Sequence, residues 1–172
     1  MTSQKPEEIF NIRNPEQLLH IVQERKYQGE DVLVAIARIY GLRVEYIPLD
    51  LESSGKLSFH PGLDQWVVTI NSLHHPRRQR FTFAHELAHF FLHRKEKFEF
   101  SDAVFFRAEN VKSHMETEAN NFAGALLMPK EEFVYYVRNT SKQIEDIAKE
   151  FNVSAMAVKV RADVIKGNTY EY

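Results

Sequence analysis

Cysteine is absent from this chain, so a disulfide framework, a thiolate metal site and a cysteine nucleophile are all excluded, and any metal must be held by histidine and carboxylate. Glycine and proline are scarce, six of each in 172 residues, which rules out collagen-like and low-complexity architectures. Neither charge sign dominates: 22 basic residues stand against 24 acidic ones, so no overall field draws the protein toward nucleic acid or an anionic membrane. Long apolar runs are missing too. None approaches the ~18 residues needed to cross a bilayer, and MTSQKPEEIFNIRNPEQ lacks a basic-then-apolar signal pattern, so the expected location is the cytoplasm, with no membrane partner. Internal repeats are also lacking.

What remains is an ordinary globular composition, 44 % hydrophobic and 27 % charged, in a chain long enough to bury a core of its own. Asn14 followed by Pro15, with Leu18, Leu19 and Val22 spaced for one face, predicts a capped helix over about 14–25. A second helix is predicted over 30–40, where Val32, Leu33, Ala35, Ile36 and Ile39 recur at helical spacing and Gly41 supplies a left-handed end. Three short runs rich in β-formers follow, over 42–48, 56–60 and 65–71, and read as a small antiparallel sheet. The basic stretch from His74 to Arg80 reads as a solvated loop, preferred to an anion or nucleic-acid patch.

The informative segment is FTFAHELAHFFLH, almost wholly apolar from Phe81 to His93 except for three histidines and a glutamate. His85 and His89 are four residues apart, which on a helix leaves them one turn and about 40° apart on a shared face, so both imidazoles can reach one ion. Glu86 is offset by one residue, beside that ion without joining the pair, where it can take a proton from water. Burying three polar groups among Ala84, Leu87, Ala88, Phe90 and Phe91 would be costly without partners, and coordination supplies them. A catalytic zinc site needs a third protein ligand and an open position. The segment from Met115 to Pro129 reads as a second apolar helix, and Glu116 at its start is the expected third ligand, with Asn120 one turn later placed to hydrogen-bond a ligating imidazole from behind. Zinc is the expected ion, with manganese as the alternative. Glu118 is expected to point elsewhere. His93 is four residues beyond His89, but in that register Phe90 would stand where the base is needed, so His93 reads as a helix-end residue.

RFTFAHELAHFFLH followed by ETEANNFAGALLMP closely resembles the ImmA/IrrE-type metallo-endopeptidases, relatives of the glutamate-ligand zincins. The resemblance is strong over 79–129 and weaker from about 30 to 166, with Ala88 where the family often has Gly and Asn120 where some members have Asp. By position it implies zinc ligands at His85, His89 and Glu116 and a catalytic glutamate at Glu86. It also implies a substrate, a helix-turn-helix repressor of phage or mobile-element type, encoded nearby and cut to relieve transcriptional repression.

The tail from Gln143 to Ile165 reads as two helices joined at Asn152-Val153-Ser154 with Ser154 as N-cap, in the manner of a helix-turn-helix. Five basic residues face four acidic ones from Ser141 to Gly167, a net of +1, which disfavours direct DNA binding and leaves packing or repressor docking. The expected fold is α+β: a small three-stranded antiparallel sheet on helices, zincin-like, with residues 1–140 as the metallopeptidase domain and 141–172 as a helix-turn-helix-like extension packed on it. The expected activity is zinc-dependent endopeptidase, with substrate along the sheet's edge strand. His114, Tyr135, Tyr136 and Arg107 are the candidate oxyanion donors, and the stretch from Lys95 to Ser113 is a lid or an exposed connection. The rivals are a non-catalytic anti-repressor or regulator that uses the metal helix as scaffold and the C-terminal helices to bind a repressor or operator DNA, and metal-dependent hydrolysis of a non-peptide substrate. Oligomeric state is not legible.

Overall fold

The computed structural model of the chain describes residues 11–103 and 114–167. Helix α1, Pro15–Arg25, opens as expected: the Asn14 side chain accepts from the Gln17 N–H at 2.9 Å and Pro15 stands at the first helical position. Helix α2, Val32–Tyr40, is capped by Asp31, which accepts from the N–H groups of Leu33 and Val34. It stops at Gly41 (φ 73°), whose left-handed backbone lets Leu42 N–H return to the Ala37 carbonyl at 2.9 Å.

The sheet has strands β1, Arg43–Ile47; β2, Ser53–His60; β3, Gln65–Asn71; and β4, Glu99–Ala103. Their order is β1-β3-β2-β4. β2 and β3 form an antiparallel hairpin with Leu57 opposite Val68, and β4 pairs antiparallel with β2, with Phe100 opposite Leu57. β1 runs parallel to β3, with Tyr46 opposite Ile70. The sheet is therefore four-stranded and mixed, not three-stranded and antiparallel. The reason lies at residues 48–52, which pass over the C-terminal end of β3 instead of folding back on β1. There the fully buried Asn71 accepts from Leu49 N–H (3.1 Å) and donates to the carbonyls of Asp50 (3.0 Å) and Ser53 (2.8 Å), and His74 Nε2 lies 3.0 Å from the Leu51 carbonyl. This anchored crossing delivers β2 to the far side of β3.

Helix α3, Pro76–His93, begins earlier than expected. His75 caps it, Nδ1 accepting from Arg77 N–H at 3.1 Å, and Pro76 occupies the first position, so Pro76–Arg80 is helix and not a solvated loop. The same proline that punctuates a loop is also the favoured first residue of a helix. His74 is buried, and Arg80 reaches Asp31 at 2.6 Å, tying the start of α3 to the cap of α2.

Helix α4, His114–Leu127, packs along α3 and ends before Pro129 as expected. Helix α5, Lys130–Asn139, follows. Helices α6, Ile144–Phe151, and α7, Ala155–Ile165, are joined through Asn152 (φ 52°) and Ser154, whose hydroxyl accepts from Ala157 N–H at 3.1 Å. Ile147, Val153 and Val158 from this pair belong to the same buried cluster as Leu87 of α3, Leu126 of α4 and Leu57 of β2. The buried Arg161 of α7 donates through Nε to the Met128 carbonyl at 2.9 Å, fixing α7 against the end of α4. The architecture is α+β, a mixed sheet on one side of the helices, and no helix among the described residues is long and apolar enough to cross a membrane.

Candidate metal centre

Almost every residue of α3 from Phe81 to His93 is buried, because the helix lies between the sheet and α4. His85, Glu86 and His89 are consequently 0 % exposed. The two imidazoles share one face, with ring centroids 4.6 Å apart at 89°. Glu116, in the first turn of α4, meets them from the opposite helix: its Oε2 lies 3.2 Å from His85 Nε2 and its Oε1 3.0 Å from His89 Nε2. One ligand atom from each of the three falls within 4.8 Å of the others. The Glu116 side chain is a third exposed. Phe100 of β4 stacks flat on His89, centroids 4.6 Å apart at 16°, and so ties the outer strand to the cluster.

The atoms behind the imidazoles fix what they present. His85 Nδ1 is 2.8 Å from Asn120 Oδ1, an amide oxygen that can only accept, so Nδ1 carries the hydrogen and Nε2 keeps its lone pair. His89 Nδ1 is 2.9 Å from His93 Nδ1, and His93 Nε2 is 3.4 Å from Glu118 Oε1. An ionised carboxylate only accepts, so His93 Nε2–H donates to Glu118, His93 Nδ1 accepts, and His89 Nδ1–H donates to it. Burial, and after it the adjacent His89, hold His93 below the usual imidazole range, consistent with this neutral form. Both Nε2 lone pairs thus converge on an acceptor-only carboxylate, an arrangement that calls for a cation between them. Protonating both Nε2 atoms instead would charge two wholly buried imidazoles side by side, at heavy desolvation cost. A divalent ion satisfies all three donors at once. Neighbouring ligands of a tetrahedral ion with bonds of ~2.0–2.1 Å stand ~3.3 Å apart, close to the separations of 3.0 and 3.2 Å found here.

His85, His89 and Glu116 are thus brought together, and Asn120 is hydrogen-bonded to His85. Glu86 faces β2: a Cβ placed on Gly55 would lie 3.5 Å from its Oε1, 2.6 Å from Thr82 Cγ2 and 2.5 Å from the Thr69 carbonyl oxygen. Gly55 is therefore what lets α3 approach the sheet here. The oxyanion candidates are not gathered at the cluster. Tyr135 is exposed on α5, Tyr136 packs on Phe151 and sends its hydroxyl toward the Asp146 carbonyl (3.5 Å), and the exposed His114 pairs with Glu118 at 3.3 Å. Arg107 lies outside the described residues, and of the expected lid or connection from Lys95 to Ser113, Glu99–Ala103 is a strand. His93 is the last residue of α3, but it does more than end the helix, and Glu118 does not point away: together they back His89. The signal for His93 was in the sequence, in its spacing of four from His89; the contact to Glu118 depends on how α4 crosses α3.

Residues 37–163 match the family described as the IrrE N-terminal-like domain. The chain is 31 % identical over 130 residues to the radiation response metalloprotease IrrE of Deinococcus radiodurans, covering 74 % of this chain and 38 % of that protein. It is 30 % identical over 118 residues to the metallopeptidase ImmA of Bacillus subtilis, covering 66 % of this chain and 65 % of that one. The chain therefore spans between 38 % and 65 % of the length of these relatives. Among solved structures it resembles a Mycobacterium tuberculosis transcriptional regulator with a TM-score of 0.57 and 17 % identity, covering 87 % of this chain and 46 % of that one, a likeness of fold. With three quarters of its length inside the family match and the His-His-Glu cluster at its centre, the chain belongs to the IrrE N-terminal-like family.

Proposed function

We propose that this protein is a zinc metallo-endopeptidase that cuts a protein substrate, a helix-turn-helix repressor of phage or mobile-element type encoded nearby, and so relieves transcriptional repression. The observation that carries the reading is the convergence of His85 Nε2, His89 Nε2 and the partly exposed Glu116 carboxylate on one point. Two imidazoles and one carboxylate are the donor set of catalytic zinc sites that keep a position for water or substrate. Manganese is the alternative ion. The relatives' names, metalloprotease and metallopeptidase, point the same way.

When bound, the ion supplies a Lewis acid for the scissile carbonyl and lowers the pKa of the attacking water. The chain's own residues do the rest. His85, His89 and Glu116 would hold the ion, and Asn120 keeps His85 in the tautomer that presents the Nε2 lone pair as ligand. Glu86, buried beside His85, is the general base: it takes a proton from the water and returns it to the leaving amine nitrogen. Among the described residues β4 is at the edge of the sheet, and Phe100 connects it to His89. An extended peptide added to that edge has its backbone held in line with the cluster.

The non-catalytic alternative draws on the groove between α5, α6 and α7, about 620 Å³ in volume, where half-buried Val134, Val137 and Ile144 form an apolar floor. Arg138, Lys142, Lys159 and Lys166 rim it against the single acidic Asp163, in a chain whose formal charge is −2. A helix of the repressor with one apolar and one acidic face suits such a groove, whether docking leads to cleavage or replaces it. The apolar floor favours this occupant over DNA.

Glu86→Gln separates the readings. It is expected to keep the metal while cleavage of the neighbouring repressor falls by several powers of ten, and chelator is expected to stop the wild type likewise. Cleavage by the variant at the wild-type rate would dismiss Glu86 as base. Relief of repression with the repressor intact on a gel would favour the anti-repressor.

A further inference from the structure

We propose that His93 and Glu118 form a relay that positions the ligand His89 and sets the protein's affinity for its metal. The proposal rests on the metal-site reading of His85, His89 and Glu116. Its basis is a chain of contacts that runs away from the cluster: His89 Nδ1 to His93 Nδ1 at 2.9 Å, and His93 Nε2 to Glu118 Oε1 at 3.4 Å. His93 is 3 % exposed, and the outer end of the relay, Glu118, is about a third exposed. Phe100, stacked on His89, also lies 6.1 Å from the His93 ring at 37°, so strand β4 closes the apolar side of both imidazoles.

Only one arrangement of hydrogens satisfies this chain with neutral rings. Glu118 accepts from His93 Nε2–H, and His93 Nδ1 accepts from His89 Nδ1–H, which leaves His89 Nε2 as a lone pair aimed at Glu116. The relay therefore performs three tasks. It selects the His89 tautomer that can ligate, locks the ring's rotation about the bond to its backbone, and passes part of the Glu118 negative charge to the ligating nitrogen, raising its basicity. Asn120 does the first two for His85 but, being a neutral amide, not the third. The two ligands are thus unequal, with His89 the stronger donor.

The test is a competition titration of zinc against a chromophoric chelator, with wild type, His93→Leu, His93→Gln and Glu118→Gln. Wild type is expected to bind one ion. His93→Leu removes the acceptor for His89 Nδ1–H and is expected to weaken zinc binding by about 10–100-fold. His93→Gln restores an amide oxygen as acceptor and an N–H₂ for Glu118, and is expected to recover most of that loss. Glu118→Gln, which keeps the acceptor but removes its charge, is expected to fall between wild type and His93→Leu. Histidine ring nitrogen correlations in the zinc-loaded wild type are expected to show His89 protonated at Nδ1. Thermal melts of the metal-free variants control for folding, since a merely structural role lowers the Tm of Leu and Gln variants alike without ordering their zinc affinities. Zinc bound by His93→Leu as tightly as by wild type, or a His89 protonated at Nε2, overturns the relay alone. A wild type that binds no zinc overturns the relay together with the metal-site reading.

Discussion

Behind each imidazole of the cluster stands one acceptor, Asn120 Oδ1 for His85 and His93 Nδ1 for His89. These contacts decide which nitrogen ligates, so removing one is felt at the ion without touching it. Asn120→Ala is expected to lower zinc affinity by about 10–100-fold with the fold intact, whereas Asn120→Asp, which keeps the acceptor and adds charge, is expected to bind at least as tightly as wild type. Unchanged affinity in Asn120→Ala, measured by the same chelator competition, would remove the amide from the site. At this scale the pairing of His85 with His89 on one face was legible, because its geometry is internal to one helix and follows from 3.6 residues per turn. Glu116 and Asn120, four apart on α4, were legible as one face. Glu118 was not, since its contact with His93 depends on where the crossing of α3 and α4 sets their C- and N-terminal turns, and no local spacing carries that.

Helix α3 reaches the sheet closely enough to seat Glu86 only because β2 has glycine at 55. Gly55→Ala sets a methyl 2.5 Å from the Thr69 carbonyl oxygen and 2.6 Å from Thr82 Cγ2, a backbone group on one side and the ligand helix on the other. Overpacking of this kind is expected to destabilise by about 1–3 kcal/mol and, by pushing α3 outward, to slow cleavage as well. Gly124, inside α4, is the contrast: its nearest new contact would be Arg161 Cδ at 3.6 Å, ordinary packing. Gly124→Ala is expected to be neutral or to stabilise by up to about 1 kcal/mol through helix propensity. Urea denaturation of the two variants compares them directly, and equal midpoints would remove the close-approach role of Gly55. Elements with strong local signals were read from the sequence: α1 and α2 from Asn14, Pro15 and Gly41, and the α6–α7 pair from Asn152 and Ser154. Strand β4 was missed because EFSDA is short and lacks β-branched residues, and its pairing with β2 is a tertiary event. The parallel placement of β1 was missed because it depends on Asn71 and His74 holding a loop that lies more than fifteen residues before them.

The whole molecule keeps its chemistry and its basic groove on different helices: the cluster on α3 and α4, the groove on α5, α6 and α7. If the groove docks an acidic helix of the substrate, its charge matters for a protein substrate and not for a short peptide. Replacing Lys142 and Lys159 together by glutamate is expected to slow cleavage of the repressor by about tenfold or more, mostly through association, and to steepen neither salt dependence nor loss for a short peptide. Equal slowing on both substrates would place the effect in the catalytic site instead. This surface was only half legible in the sequence. The net charge of +1 from Ser141 to Gly167 concealed it, because three of the five basic residues there, Lys142, Lys159 and Lys166, gather on the groove while Glu145, Asp146 and Glu150 do not line it, and Arg138 comes from a helix the periodicity did not reveal.

The direct test of the centre itself is anomalous diffraction at the zinc edge from crystals of protein loaded with one equivalent of zinc. A single peak is expected about 2.0–2.2 Å from His85 Nε2, His89 Nε2 and a Glu116 oxygen, with a further position open to water. A peak on other residues, or none between these three, would contradict it.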